Sequence, residues 1–479
     1  MAYGIISFGG YVPPIRLARS AIFEAVGWCS PGLKGLAAGH RSVGNWDEDS
    51  LTMAVEAGRD CLGGLATDVQ QVALASTTLP FADRSNSGVV ADALQLTEFA
   101  GTEDVGGSRR AATSVLSRLA RGQGGNTLLI GSDCRDAKPG STQEMSYGHG
   151  AAALLVGEGD PCAVFLGAAS VHDDLVDQYR SADDDFDYAL EERWARDEGY
   201  SKIVPRAVAA ALERANLAAS DIDHIVLHGS TGAARAVAKA TGLDAKKFAD
   251  SLAGSVGDCG VAQAMMMLTN VLASAGVGEK ILVIGFGQGA DAVIIETQGA
   301  ISQVQKGRGL AKYLEQTRET DKYTFFLSIR QQIEMDYGIR GERDNRTALS
   351  TAFRKRYDIT AMMGGRCTKC NTLQFPRSIL CVNCGAKNTQ EPESLSAEIG
   401  RVKSFTEDWL AFAPCPPYIY GNVEFKDGAN IMLEFTDFDA GQVQVGDEIR
   451  LVFRVKDYDN RRNYRRYFWK PAPLLGDAA

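Results

Sequence analysis

The chain of 479 residues has no uninterrupted apolar run of membrane-spanning length, and Met1 leads directly into strand-like residues 3–8 with no basic leader or signal-peptide core. A cytoplasmic location without membrane contact is the expectation. Positive charge is also short: 50 Lys and Arg against 60 Asp and Glu leave a net charge of -10, which disfavours wrapping around a polyanion. Nucleic acid is an unlikely partner on that ground. The acidic residues 183–185 with Asp187 lack EF-hand spacing and read as a solvated loop. Gly285, Gly287 and Ala290 fit a dinucleotide fingerprint, but the helix it requires is missing, because residues 291–297 read as a strand. No nicotinamide cofactor is inferred.

What remains is a chain able to bury several cores, with 45% apolar and 23% charged residues. Residues 126–131 and 148–156 form a strand, loop and strand, and residues 280–285 and 290–295 repeat that phrase. Helix-spaced stretches at 50–62, 87–96 and 201–215 lie between them, so α/β layers in two related halves are expected. From about residue 303 the sequence turns charged and helix-compatible. After Lys387, short β-prone runs such as 430–435 and 448–455 suggest a small antiparallel barrel. The expected division is 1–160 and 161–302 for the two halves, 303–363 for a helical connector, 364–390 for a metal knuckle and 391–475 for the barrel.

Cys367 and Cys370, then Cys381 and Cys384, form two CxxC pairs whose spacing lets a short hairpin close a tetrahedral cage around zinc. Four thiolates leave zinc no open position, so its expected role is structural. The other six of the ten cysteines are scattered singly and read as reduced packing residues.

The segment from Cys367 through Phe375, Pro376 and Arg377 to Cys384 and Gly385 resembles the acyl-CoA-associated zinc-ribbon and OB-fold family, and Pro416, Pro417, Tyr418 and residues 445–449 look like its barrel. The first 300 residues are similar to hydroxymethylglutaryl-CoA synthase and, more distantly, to ketoacyl-ACP synthase III. Tyr11, Val12 and Pro13, the phrase at 47–57, the strand at 221–228 and the turn at 255–262 carry that similarity. The resemblance implies a five-layered αβαβα thiolase fold, a CoA thioester as substrate, and a homodimer or a heteromer with another thiolase-superfamily chain. It places the family's histidine at His228. Arg109, with Ser108 beside it, falls where the family carries its nucleophilic cysteine, Thr77 where it carries a glutamate, and Asp258 where it carries an asparagine.

A guanidinium stays protonated and cannot form an acyl-enzyme. One reading therefore makes His228 an acid/base or oxyanion donor, Asp258 its partner and Arg109 an anion anchor, which suits aldol or retro-aldol chemistry. A second reading is a non-catalytic subunit that shapes a partner's site. A third is a nucleic-acid-binding ribbon and barrel, resting on the basic aromatic residues 461–469, which also read as CoA-phosphate ligands or as a plain amphipathic strand. Bland roles stand beside the sharp ones. His228 also fits a core histidine, Asp258 a helix cap, and Ser108 and Cys259 structural turn residues rather than substitute nucleophiles. His149, between two glycines, is read as packing.

Overall fold

The computed structural model describes residues 2–65, 68–122, 125–342 and 345–476. Nine strands form one mixed sheet: β1 (Ala2–Tyr11), β2 (Gln71–Ala75), β3 (Gly101–Val105), β4 (Thr127–Cys134), β5 (His149–Gly159), β6 (Ala163–His172), β7 (His224–Leu227), β8 (Lys280–Phe286) and β9 (Gly289–Thr297). Their order is β7-β8-β9-β6-β1-β5-β4-β2-β3. The two halves meet where β1 pairs with β6 at only Gly4↔Val164 and Ile5↔Ala163, and the sheet splays apart from there. Gly4 permits that approach, since a Cβ at this position would sit 2.3 Å from the Ala163 carbonyl oxygen.

The splay makes room for five layers. Helices α1 (Ser50–Leu62) and α2 (Asn86–Ala93) cover the first half, and α4 (Val204–Ala215) with α5 (Thr231–Thr241) covers the second. Between the half-sheets lie α3 (Ala111–Leu119) and α6 (Gln263–Leu272), buried around most of their circumference as a middle layer requires. The hairpins β4–β5 and β8–β9 are the two repeated phrases of the sequence, both antiparallel.

After this body come short helices, Ile301–Val304, Ala311–Glu315, Tyr323–Ile329, Leu349–Arg354 and Arg356–Thr360, and a three-residue strand, Arg318–Thr320, parallel to Ile15–Ala18. A small ribbon follows: β10 (Met363–Cys367), β11 (Leu373–Gln374) and β12 (Gln390–Ser394). The OB-like domain comprises β13 (Gly400–Asp408), β14 (Tyr418–Phe425), β15 (Asn430–Glu434), β16 (Glu448–Asp459) and β17 (Tyr464–Pro473), ordered β15-β14-β13-β16-β17. No helix among the described residues is long and apolar enough to cross a membrane.

Barrel and body are joined by buried charge. Lys470 on β17 donates to Asp47 at 2.9 Å and Glu434 at 3.2 Å, while Arg454 on β16 meets Glu48 at 3.1 Å, Asp437 at 2.9 Å and the Tyr11 hydroxyl at 2.9 Å. Asp49 works on two sides: Oδ1 caps α1 by accepting from the Leu51 and Thr52 amides, and Oδ2 accepts from Arg465 at 2.9 Å and Tyr467 at 2.8 Å. Glu56, two turns along α1, accepts from the Phe453 amide and Arg450. Within the basic aromatic residues 461–469, Arg465 and Tyr467 thus serve this interface, whereas Arg462 and Arg466 pair inside the barrel with Asp459 and Asp457, and the Trp469 indole donates to the Thr360 carbonyl.

Removing one member of a buried charge cluster leaves the others uncompensated, at about 3–5 kcal/mol. Lys470→Met is therefore expected to lower the free energy of unfolding by that amount, because Asp47 would keep only Arg454 at 3.9 Å and Glu434 only the half-buried Lys456. Arg401→Ala, at an exposed pair with Glu448, is expected to cost under about 1 kcal/mol. Urea denaturation of both variants checks the contrast.

Candidate functional site

The parallel strands β7 and β8 end side by side, Leu227 opposite Ile284, and the crevice beyond such strand ends is where α/β sheets place ligands. His228 is the first residue past β7 and is buried. Its Nε2 lies 2.9 Å from Asp258 Oδ1, and the Tyr200 hydroxyl donates to its carbonyl at 3.1 Å. Asp258 is pinned by its backbone, the amide donating to Ser146 and the carbonyl accepting from Gly148. The same Oδ1 accepts from the Gly260 amide at 2.8 Å, a turn bond that coexists with the pairing to His228, while the N-cap of the short helical turn 260–262 is Cys259. Burial opposes ionisation of this carboxyl, but His228, Arg109 and Arg135 together hold it well below the usual range. A carboxylate can only accept, so the contact places a proton of His228 on Nε2 and fixes the orientation of the ring.

Arg109 lies two residues before α3 and reaches the same carboxylate: Nη1 lies 3.8 Å from Asp258 Oδ2, and Nη2 donates to Asp177. Ser108 turns elsewhere. Its hydroxyl donates to the Gly287 carbonyl at 2.9 Å and accepts from the Arg110 amide at 3.3 Å, which makes it a turn residue in this arrangement. Cys259 is fully buried, and burial, with Asp258 and Asp133 nearby, pushes its thiol well above the usual value, the opposite of an activated thiolate. Of the other single cysteines, Cys61, Cys134 and Cys162 are buried, Cys415 is half-buried and Cys29 is exposed.

Thr77 belongs to a second cluster. Asp133, at the end of β4, accepts from the Ser76 hydroxyl, the Thr77 amide and hydroxyl, the Thr78 hydroxyl and the Val261 amide, all within 3.1 Å. Arg135 follows, buried above the Tyr147 ring at 4.6 Å and paired with Asp187. Asp187 also accepts from Tyr147 at 2.8 Å and Arg180 at 3.1 Å. It is therefore no part of a solvated loop, unlike exposed residues 183–185. Asp133, Arg135, Asp177, Arg180, Asp187 and Tyr200 escaped sequence reasoning, since nothing in their local spacing marks them.

His149 is a fixed structural histidine. Nδ1 accepts from the Gly44 amide at 2.8 Å and Nε2 lies 3.0 Å from the Arg135 carbonyl. Burial, then Arg330, lowers its pKa to about 3.

In the ribbon, Cys367 and Cys384 sulfurs are 3.7 Å apart, Cys370 and Cys381 sulfurs 3.5 Å, and all four lie within 4.8 Å of one another. Zinc–sulfur bonds of about 2.3 Å in a tetrahedron require sulfurs about 3.8 Å apart, so the cage fits zinc. These four residues form a structural zinc site, with no position left for a substrate.

Two outcomes follow. His149 is neutral in the fold and about 6.5 when unfolded, so its contribution to stability is complete above that pH. It is lost as pH falls from about 6.5 towards 3, by up to about 1.4 kcal/mol per pH unit. Imidazole NMR is expected to show His149 still neutral at pH 5, and a transition near 6.5 would contradict this. Chelation of zinc is expected to abolish amide protection in residues 363–394 while the strands around His228 keep theirs; a zinc-free ribbon that stayed protected would overturn the structural role.

Comparison with known proteins bears on this architecture. Residues 212–296 match the family model described as 3-oxoacyl-[acyl-carrier-protein] synthase III C terminal, residues 363–390 the ChsH2 rubredoxin-like zinc ribbon domain, and residues 394–454 the ChsH2 C-terminal OB-fold domain. The structure of MvaS in complex with 3-hydroxy-3-methylglutaryl coenzyme A superposes with a TM-score of 0.60 at 17% identity, over 69% of this chain and 92% of that one. FabH from Pseudomonas aeruginosa gives 0.55 at 21%, over 62% and 98%. Those likenesses establish the thiolase-type fold of the body. Hydroxymethylglutaryl-CoA synthase of Methanocaldococcus jannaschii is 28% identical over 349 residues, 69% of this chain and 99% of the relative. That of Aeropyrum pernix is 30% identical over 348 residues, 70% of this chain and 92% of the relative, and on that match the chain belongs to the hydroxymethylglutaryl-CoA synthase family, here joined to a zinc ribbon and an OB-fold domain.

Proposed function

We propose that this chain binds an acyl-CoA and makes or breaks a carbon–carbon bond beside its thioester without a cysteine acyl-enzyme. The observation that carries the reading is the buried triangle of His228, Asp258 and Arg109: an oriented imidazole, the carboxylate that orients it, and a cation where a nucleophile is otherwise expected. Family membership supports CoA thioesters as the substrate class.

In the cleavage direction, His228 Nδ1 takes the proton of a 3-hydroxyacyl thioester's hydroxyl. The C–O bond becomes a carbonyl as the Cα–Cβ bond breaks, and its electron pair moves onto the thioester as an enolate. Arg109 stabilises the enolate oxygen. The imidazolium returns its proton to Cα, which leaves an aldehyde or ketone and a shortened acyl-CoA. Condensation is the reverse. Asp258 acts through His228, holding its tautomer and supporting the imidazolium.

A specific observation favours a second reading, a non-catalytic subunit of a heteromeric condensing enzyme: Arg109 is already bonded to Asp177, so the turn is closed by internal ion pairs. The exposed edge strand β3, with Phe99 almost fully exposed beside it, supports pairing with a second thiolase-fold chain in either case, as a homodimer or a heteromer.

The deciding experiment incubates the zinc-replete chain with 3-hydroxyacyl-CoAs and follows carbonyl release together with intact mass. Turnover with no adduct is expected, and His228→Gln is expected to lower kcat by about 10²–10⁴. An acyl adduct on Ser108 or Cys259 would restore covalent transfer. Absence of turnover, with co-purification of a cysteine-bearing homologue, would favour the subunit reading.

A further inference from the structure

The chain between Asp177 and Leu190 returns on itself as a minimal hairpin. Gln178–Tyr179 pairs with Tyr188–Ala189 as a two-stranded sheet separate from every other, and the Leu190 amide donates to the Asp177 carbonyl. Two strands of two residues have little stability of their own. The Tyr179 and Tyr188 rings that face each other across it are exposed. What holds the hairpin down is charge. Asp177, at the foot of one arm, binds Arg109; Asp187, at the foot of the other, binds Arg135 and Tyr147; and Arg180 reaches the Thr77 carbonyl. Both aspartate side chains are only 4% exposed. Between the hairpin and the stretch from Ala137 to Tyr147 lies a cleft of about 680 Å³ whose lining includes Tyr147 and Asp187.

Arg135 is the feature that a structural role leaves unexplained. Its side chain is 2% exposed, yet Nε and Nη1 have no hydrogen-bond partner. A Cβ at Gly260 would sit 2.3 Å from Asp133 Oδ2 and 2.8 Å from Arg135 Cδ, with Nη1 at 3.3 Å, so a glycine there is what lets the Arg135 side chain lie against this turn. Asp187 occupies Nη2 alone. A buried guanidinium with two unmade donors next to a removable carboxylate is the donor set of an anion site.

We propose that Asp187 stands in for an anionic group of the ligand: an incoming carboxylate or phosphate takes its place on Arg135 and Tyr147, and the hairpin lifts as it enters. This rests on the CoA reading above and makes Arg135 and Asp187 the residues that select the ligand. The shared chemistry is an oxyanion, supplied either by the far end of an acyl group or by a phosphate of CoA itself. Carboxylate exchange moves no covalent bond; the displaced Asp187 and the exposed tip of the hairpin pass into water.

The test uses the full zinc-replete chain and calorimetric titration with CoA, dephospho-CoA, pentanoyl-CoA and glutaryl-CoA, the last two matched in carbon number. A charge-assisted pair makes glutaryl-CoA bind wild type about tenfold tighter than pentanoyl-CoA if the acyl end supplies the anion. Arg135→Gln is expected to erase that preference, Asp187→Asn to tighten the anionic ligand alone, and hydrogen exchange at residues 178–189 to accelerate on binding. A preference for CoA over dephospho-CoA that Arg135→Gln erases would support the phosphate as the source. Equal affinity across both pairs, with hairpin exchange unchanged, overturns the proposal while CoA binding stands. Failure of all four ligands to bind overturns the CoA reading and the proposal with it. Thermal melting of both variants separates loss of the hairpin's contacts from loss of the fold.

Discussion

The arrangement depends on a charge cluster at residues 47–49, where the body's acidic turn meets the cations of the barrel. Lys470 and Arg454 are each almost wholly withdrawn from water and each is bonded to carboxylates of both modules. Burial alone would penalise these ions severely, so the interface tolerates them only while every partner is in place. That condition fixes the orientation of the barrel more tightly than apolar packing does, since a sliding apolar contact loses area gradually and a displaced ion loses its partner outright. Asp49 extends the constraint into α1, because one carboxylate serves both the helix cap and the barrel.

The candidate site has a different character. Its acids and bases come from strand ends and turns far apart in sequence, and most are held by backbone contacts: Asp258 between Ser146 and Gly148, Asp133 by amides of residues 77 and 261. Backbone anchorage suits a constellation that must keep its geometry, while the hairpin bearing Asp177 and Asp187 has almost none. The two carboxylates of the hairpin are held instead by side-chain pairs with Arg109 and Arg135.

The legible parts of the fold were those with a period or a spacing. The repeated strand-turn-strand phrases proved to be β4–β5 and β8–β9, the paired cysteines a cage of zinc dimensions, and the β-prone runs near 430 and 450 became β15 and β16. His228, Asp258 and Arg109 could be singled out through family phrases, and they do converge. Their partners could not. Asp187 sits in an acidic stretch whose composition predicts solvent, and only tertiary placement against Arg135 distinguishes it from Asp183–185 neighbours that remain exposed. Residues 461–469 looked like a ligand-binding strip because sequence records cations but not the aspartates that neutralise them, Asp49 across the interface and Asp457 on the neighbouring barrel strand.

The connector gives the association a numerical meaning. A ribbon and barrel supplied as a separate protein would meet the body at a rate and occupancy set by how much of each the cell holds. Joined through residues 303–363, they face it at an effective concentration on the order of millimolar, whatever the abundance of the chain. Stoichiometry is then one to one by synthesis, and dilution separates nothing. Under that condition an interface built on buried ions, costly to assemble from two free partners, becomes sustainable, because the loss of translational freedom has already been met by the peptide bond.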